Sequence, residues 1–142
     1  MDSLLDTNVV SEPMRRTPDR NVIRWLDAQA AESLYLATTS LAELLLGIEI
    51  LPAGKRRKAL AESLDTQIVG LFGGRILAFD TITAQAYPRI VTQARKRGYA
   101  IGVADAQIAA IAASRQFSVA TRDVAPFEAA GLPTINPWME LK

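Results

Sequence analysis

Five short apolar runs alternate with longer stretches of helical pattern, and this alternation restricts the fold more than any other feature of the sequence. Ser3 to Leu5, Leu34 to Thr38, Ile76 to Phe79, Ser118 to Ala120 and Pro133 to Asn136 are too short for helices and read as strands. Thr7 to Glu12 predicts a short helix closed by Pro13. Asp19 to Ala30 carries Val22, Ile23, Trp25 and Leu26 in an amphipathic pattern. Ser40 opens a helix to about Leu51, which Pro52-Ala53-Gly54 stops. Lys55 to Leu71 predicts another helix, broken by Gly73-Gly74. Asp80 or Thr81 caps a helix running to Arg97, with Pro88 predicting a kink or early break. Val103 to Arg115 is apolar nearly all round and should be buried. Pro126 to Glu128 reads as a short turn or helix. Strands alternating with helices predict an α/β domain with a mostly parallel sheet of about 4–5 strands flanked by helices. The 142 residues show no repeat and fit one domain over 1–142.

In open parallel sheets ligands bind at the C-terminal ends of strands. The residues just beyond each strand are therefore the candidates for chemistry. The chain has no histidine, which excludes Ser–His–Asp and Cys–His catalysis and His-ligated metals. It has no cysteine, which excludes disulfides, thiol nucleophiles and Cys-type zinc sites. Carboxylates, hydroxyls, Lys, Arg, Tyr or an oxygen-held metal remain. The formal charge of +1 is not that of a strongly basic nucleic-acid binder, although local patches matter more than the sum. No apolar run reaches the roughly 18 residues needed to span a bilayer. The N-terminus lacks the pattern of a secretory signal, so a soluble, cytoplasmic protein without membrane contact is expected.

Three strands lead into an acid: Asp6, Asp80 and Asp123. Glu43 and Asp105 stand at the starts of helices. Each has a plain structural use. Ser40-x-x-Glu43 fits a capping box, which is commoner than a metal site. Asp105 suits the positive end of a helix dipole. Asp80 and Asp123 suit turns or N-caps. Asp6, behind a buried strand and before Thr7-Asn8, is hardest to explain that way. Carboxylates gathered in one place repel, and a divalent cation removes that cost. Oxygen ligands alone suit Mg²⁺ or Mn²⁺, which can activate a water and brace a phosphate oxygen. Thr7 and Thr121 are placed to hold a water or phosphate oxygen.

Four segments resemble, in order and spacing, the motifs of the PIN-domain ribonucleases, and more narrowly the VapC toxins of bacterial toxin–antitoxin pairs. They are Leu4-Leu5-Asp6-Thr7-Asn8-Val9-Val10-Ser11-Glu12, Thr39-Ser40-Leu41-Ala42-Glu43-Leu44 with Gly47, Ala104-Asp105-Ala106-Gln107-Ile108-Ala109-Ala110, and Val119-Ala120-Thr121-Arg122-Asp123. Ser11-Glu12-Pro13 and Asn136-Pro137-Trp138 point to the FitB-like branch. The resemblance implies a three-layer PIN-like fold, usually dimeric, and an endoribonuclease dependent on Mg²⁺ or Mn²⁺. It implies that Asp6, Glu43, Asp105 and Asp123 are the metal-binding and catalytic acids. Thr7, Asn8 and Thr121 would support them. It also implies a small cognate antitoxin in the active site, and DNA contact only indirectly, through that antitoxin. Many relatives carry Asn where Asp123 stands, and an acid where this chain has Pro126. Asp80 is read as an N-cap.

Lys55 to Lys58 and Arg95 to Arg97 read as solvated helix ends or as RNA backbone contacts. Arg122 is the better phosphate contact; it can equally pair with a carboxylate or meet the antitoxin. Trp25, Tyr35, Phe72, Phe79, Phe117 and Phe127 read as core or interface. The leucines of 41–50 exceed one narrow stripe and suggest core plus a dimer or antitoxin groove. A receiver-type signalling domain would need paired acids after the first strand and a late Lys, where Arg122 stands. A haloacid-dehalogenase-like phosphatase would need an Asp at Asn8. The alternative within the family is a catalytically weak PIN domain acting mainly as an antitoxin-binding corepressor of its own operon.

Overall fold

The structure is a computed structural model and describes residues 2–139. Within them, β1 (Ser3–Leu5), β2 (Leu34–Ala37), β3 (Ile76–Leu77), β4 (Ser118–Ala120) and β5 (Thr134–Ile135) form one sheet in the order β3-β2-β1-β4-β5. Every pairing is parallel. Leu5 is level with Leu36 on one side and Ala120 on the other. The central strands therefore end together, and the residues beyond their C-terminal ends emerge at one edge.

Side chains of a strand alternate between faces. Leu4 and Val119 enter one core with α6 (Thr81–Lys96) and α7 (Val103–Arg115). Leu5, Leu36 and Ala120 enter another with Val9 of α1 (Thr7–Ser11), Trp25 of α2 (Arg20–Ala28) and Leu44 of α3 (Thr38–Glu49). A sheet buried on both faces needs nearly continuous apolar strands, and these supply them, the buried Ser3 and Ser118 hydroxyls hydrogen-bonding each other at 3.0 Å. The three-layer α/β expectation is met. Ala106 and Ile108 to Ala112 of α7 are all buried, as its all-round apolar pattern requires.

Several boundaries differ from expectation. β2 stops at Ala37, whose last ladder partner is Leu77, and α3 starts at once at Thr38. Ser40 thus lies inside the helix, not at its cap. The helix's N-cap, Ala37, has no side-chain hydrogen bond, and the Ser40 hydroxyl is buried without a partner. The capping-box reading of Glu43 is therefore wrong. Asp80 is an N-cap as expected: its carboxylate accepts from the Thr83 N–H at 3.0 Å, and the Thr83 hydroxyl answers the Asp80 N–H at 2.7 Å. These bonds hold the Asp80 pKa below its usual range, the Thr83 N–H first. Pro88 does not break α6, which runs from Thr81 to Lys96. Pro88 and Ala84, whose carbonyl loses its partner, are both exposed, so water can serve that carbonyl.

The helix expected over 55–71 is α4 (Lys55–Ser63), a wide π turn over Leu64–Val69, and α5 (Gly70–Phe72). Leu64, Ile68 and Phe72 still all reach the core. Pro13 does not end the first helix sharply. The chain tightens into a 3₁₀ turn over Glu12–Met14, where Pro sits without strain near a helix start. Glu12 within it is buried, accepting from the Asp19 N–H at 2.8 Å and from Arg15. Pro126 and Phe127 lie in α8 (Ala125–Ala129).

Candidate active site

Asp6 is fixed from three sides. Its own N–H donates to the Ala120 carbonyl at 2.9 Å, carrying the β1–β4 ladder one residue past the strands. Its Oδ1 accepts from the Thr7 N–H and its Oδ2 from the Thr121 hydroxyl, both at 2.8 Å. Thr121 is fully buried and lies behind Asp6; its hydroxyl oxygen also accepts from the Asp123 N–H at 3.1 Å. One hydroxyl thus orients one acid and anchors the backbone of another.

Glu43 comes from α3, on the second turn after β2. Its Oε1 accepts from the Thr7 hydroxyl at 2.6 Å. The short strand β2 and the immediate turn into helix bring it to the β1 edge. Asp105 stands in the first turn of α7, and nearby the Thr39 hydroxyl donates to Gln107 at 3.0 Å, tying α3 to α7.

Together these elements enclose a cleft of about 350 Å³ lined by Asp6, Thr7, Asn8, Ser11, Glu43, Asp105 and Asp123. The structure thus brings together the four acids singled out from sequence, with Thr7 and Asn8. Thr121 supports from beneath, and Arg122 sits at the rim, its N–H donating to Asn8 Oδ1 at 3.4 Å. Ser11 was not foreseen. It lies one helical turn beyond Thr7, a spacing that puts both on one face and was legible.

Burial and crowding disfavour charge here. The Asp105 pKa is pushed up to about 6, first by burial and then by the charges of Asp6, Asp123 and Glu43. Burial raises Asp6 as well, against the lowering bonds from Thr121 and Thr7. Among the described residues no three acids are spaced to hold a metal ion. The donor set fits a hard divalent cation: oxygen only, and rich in charge that needs neutralising.

A separate apolar cleft of about 230 Å³ lies between α2, β2 and α5, lined by Leu26, Leu34, Ile68 and Phe72 among others. Arg75 at its edge spends donors on the Leu34 and Leu71 carbonyls. It has no carboxylate and takes no part in this site.

Thr121→Val keeps the shape and removes the bridging hydroxyl. A supporting group of this kind is worth about 10–100-fold in metal affinity or activity. The variant should lose that much, while Thr121→Ser retains most of it; divalent-ion titration of both variants checks this.

Comparison with known proteins agrees with the fold. The PIN domain family matches residues 3–132. A plasmid stability protein, StbB, of Pseudomonas syringae pv. tomato is 52% identical over 95% of this chain and 97% of its own length. A VapC ribonuclease of Sinorhizobium fredii is 47% identical, covering 95% and 96%. Toxin FitB of Neisseria gonorrhoeae is 45% identical, covering 95% and 97%. The structure of FitAB bound to a DNA fragment superposes with a TM-score of 0.95 at 42% identity, over 99% of this chain and 98% of that one. The chain is therefore a PIN domain and belongs with the VapC and FitB toxins of that family.

Proposed function

We propose that the chain is the toxin of a toxin–antitoxin pair and an endoribonuclease that hydrolyses RNA phosphodiester bonds with the help of Mg²⁺ or Mn²⁺. The observation that carries this reading is the convergence of Asp6, Glu43, Asp105 and Asp123 on one cleft at the C-terminal edge of the sheet. Asp6 and Asp105 would be the principal ligands, directly or through water, with Glu43 and Asp123 completing the set. A divalent cation held there lowers the pKa of a water and offsets charge on the phosphate.

The chain's own residues supply position. Thr7 and Thr121 leave Asp6 one orientation. The Thr7 hydroxyl occupies Glu43 Oε1 and leaves its second oxygen to orient a water. Thr121 holds the backbone that presents Asp123. Fixed groups of this kind need no rearrangement during reaction.

Relatives with toxin names and a neighbour solved on DNA support a cognate antitoxin as partner, with DNA reached through it. Leu45 and Leu46 on α3 and Ile50 at its C-cap are more than half exposed and give protein partners, including a second copy of this chain, an apolar face. Among the described residues no helix is long and apolar enough to cross a membrane.

The test is cleavage of a mixed RNA pool by purified, antitoxin-free protein, with Mg²⁺ or Mn²⁺ and with EDTA, beside Asp6→Asn. Cleavage that stops in EDTA and in the variant is expected. Silence everywhere, with no metal bound, would favour the corepressor alternative.

A further inference from the structure

Next to the acidic cleft lies a second assembly that the carboxylates do not use. Arg122 stands between Thr121 and Asp123, and its backbone is held on both sides. Its N–H donates to Asn8, and its carbonyl accepts from Asn136 Nδ2 at 3.4 Å. Asn136 Oδ1 in turn accepts from the Trp138 N–H at 3.0 Å. The Trp138 carbonyl accepts from Asn21 Nδ2 of α2 at 2.9 Å, and Pro137 is fully buried. Trp138 is thus pinned to the body of the domain. The Arg122 guanidinium lies over its ring, Cζ 5.3 Å from the centroid. Among the described residues Arg122 forms no ion pair, although Asp123 is its neighbour in sequence.

A guanidinium folded among the carboxylates would cancel the charge that holds a cation. Resting on the indole face, it is attracted by the ring without spending its N–H donors. It stays a full, directional cation at the rim of a cleft whose four carboxylates repel a polyanion. A planar fork of donors matches phosphate oxygens. We propose that Arg122 binds a backbone phosphate of single-stranded RNA beside the cleft, and that Trp138 is the positioning residue that keeps the guanidinium there. This deepens the ribonuclease reading and rests on it.

The experiment measures binding of a short, fluorescein-labelled single-stranded RNA of mixed sequence across a salt series. The protein carries Asp6→Asn so that the RNA stays intact; wild-type cleavage of the same RNA judges the nuclease reading separately. Adding Arg122→Ala should weaken binding and reduce the slope of log K against log salt by about 1. Trp138→Leu should weaken binding about two- to fivefold, the worth of an exposed cation–π contact, and Trp138→Phe by less. In the Arg122→Ala background Trp138→Leu should add nothing. In the nuclease-active chain Trp138→Leu should appear in KM, with kcat within about twofold.

An effect of Trp138→Leu that survives without Arg122 overturns the positioning role and makes the indole a contact of its own. Binding and slope unchanged in Arg122→Ala overturn the phosphate contact and assign this rim to a protein partner. If Trp138→Leu fails to fold, Trp138→Phe and the exposed Arg122→Ala still decide. RNA that is bound but never cut by wild type sinks the nuclease reading alone; RNA that is not bound at all sinks both.

Discussion

Asp105→Asn should abolish RNA cleavage and, at the same time, make the metal-free protein more stable. The loss of activity should reach at least about 100-fold, the usual cost of removing one preorganised electrostatic group. The gain in stability comes from the raised pKa of Asp105, about 6 against 3.8 for an ordinary Asp. A carboxyl whose folded pKa lies above its unfolded value stabilises the fold below the unfolded pKa. That contribution is lost as pH rises through the folded one. At pH 7 the ionised Asp105 therefore works against the fold, and Asn removes the charge. Two units sealed from water would be worth about 3 kcal/mol. Asp105 is only half buried, so about 1 kcal/mol is the discounted figure, or about 2–4 °C in Tm. Melting curves in EDTA at pH 7.5 and pH 5 provide the measurement. The wild-type chain should gain on acidification, relative to Asp105→Asn, and the two should converge near pH 4. Parallel curves would show that the folded chain does not raise the Asp105 pKa. Undiminished cleavage would remove it from the site.

Phe127→Ala is the largest stability loss expected of a single substitution. Phe127 is fully buried in the core that α6, α7 and the sheet share, and it sits just after the loop bearing Asp123. Truncating such a ring costs about 3–5 kcal/mol, against a total stability of about 5–15 kcal/mol for a domain. Tm should fall by roughly 10 °C. Phe127→Leu should keep more than half of the loss back. Urea unfolding of the three proteins should show shifted midpoints at constant slope. A cost below about 1 kcal/mol would mean that α8 is not anchored through this ring.

The parts of the fold legible in the sequence were those settled locally. Ser3-Leu4-Leu5 is too short and too apolar for anything but a buried strand, so Asp6 had to emerge at an edge. Val103 to Arg115 is apolar all round, so its burial was expected. Asp80 reads as a cap because its partner Thr83 is three residues away. Glu43 was ambiguous because its role depends on where α3 begins. That boundary is set by Ala37 reaching its ladder partner Leu77, a contact across 40 residues of chain. The π turn over Leu64–Val69 was hidden for a similar reason: its Leu64 and Ile68 keep helical spacing while the backbone widens. Thr121 is legible as a hydroxyl after a strand, but its double duty toward Asp6 and Asp123 appears only when β1 and β4 are paired. The stacking of Arg122 on Trp138 joins residues whose nearness no periodicity reveals.

The position of β1 in the middle of the sheet, between β2 and β4, makes the order of synthesis matter. A ribosome releases Asp6 first and Thr121 more than a hundred residues later, yet the two share one hydrogen bond. A growing chain that has displayed Asp6, Glu43 and Asp105 still lacks the strand that squares Asp6 into place and the loop that brings Asp123. Its cleft is therefore unfinished until β4 and the loop bearing Asp123 have emerged. A copy cut short before β4 should therefore lack the four-acid cleft altogether.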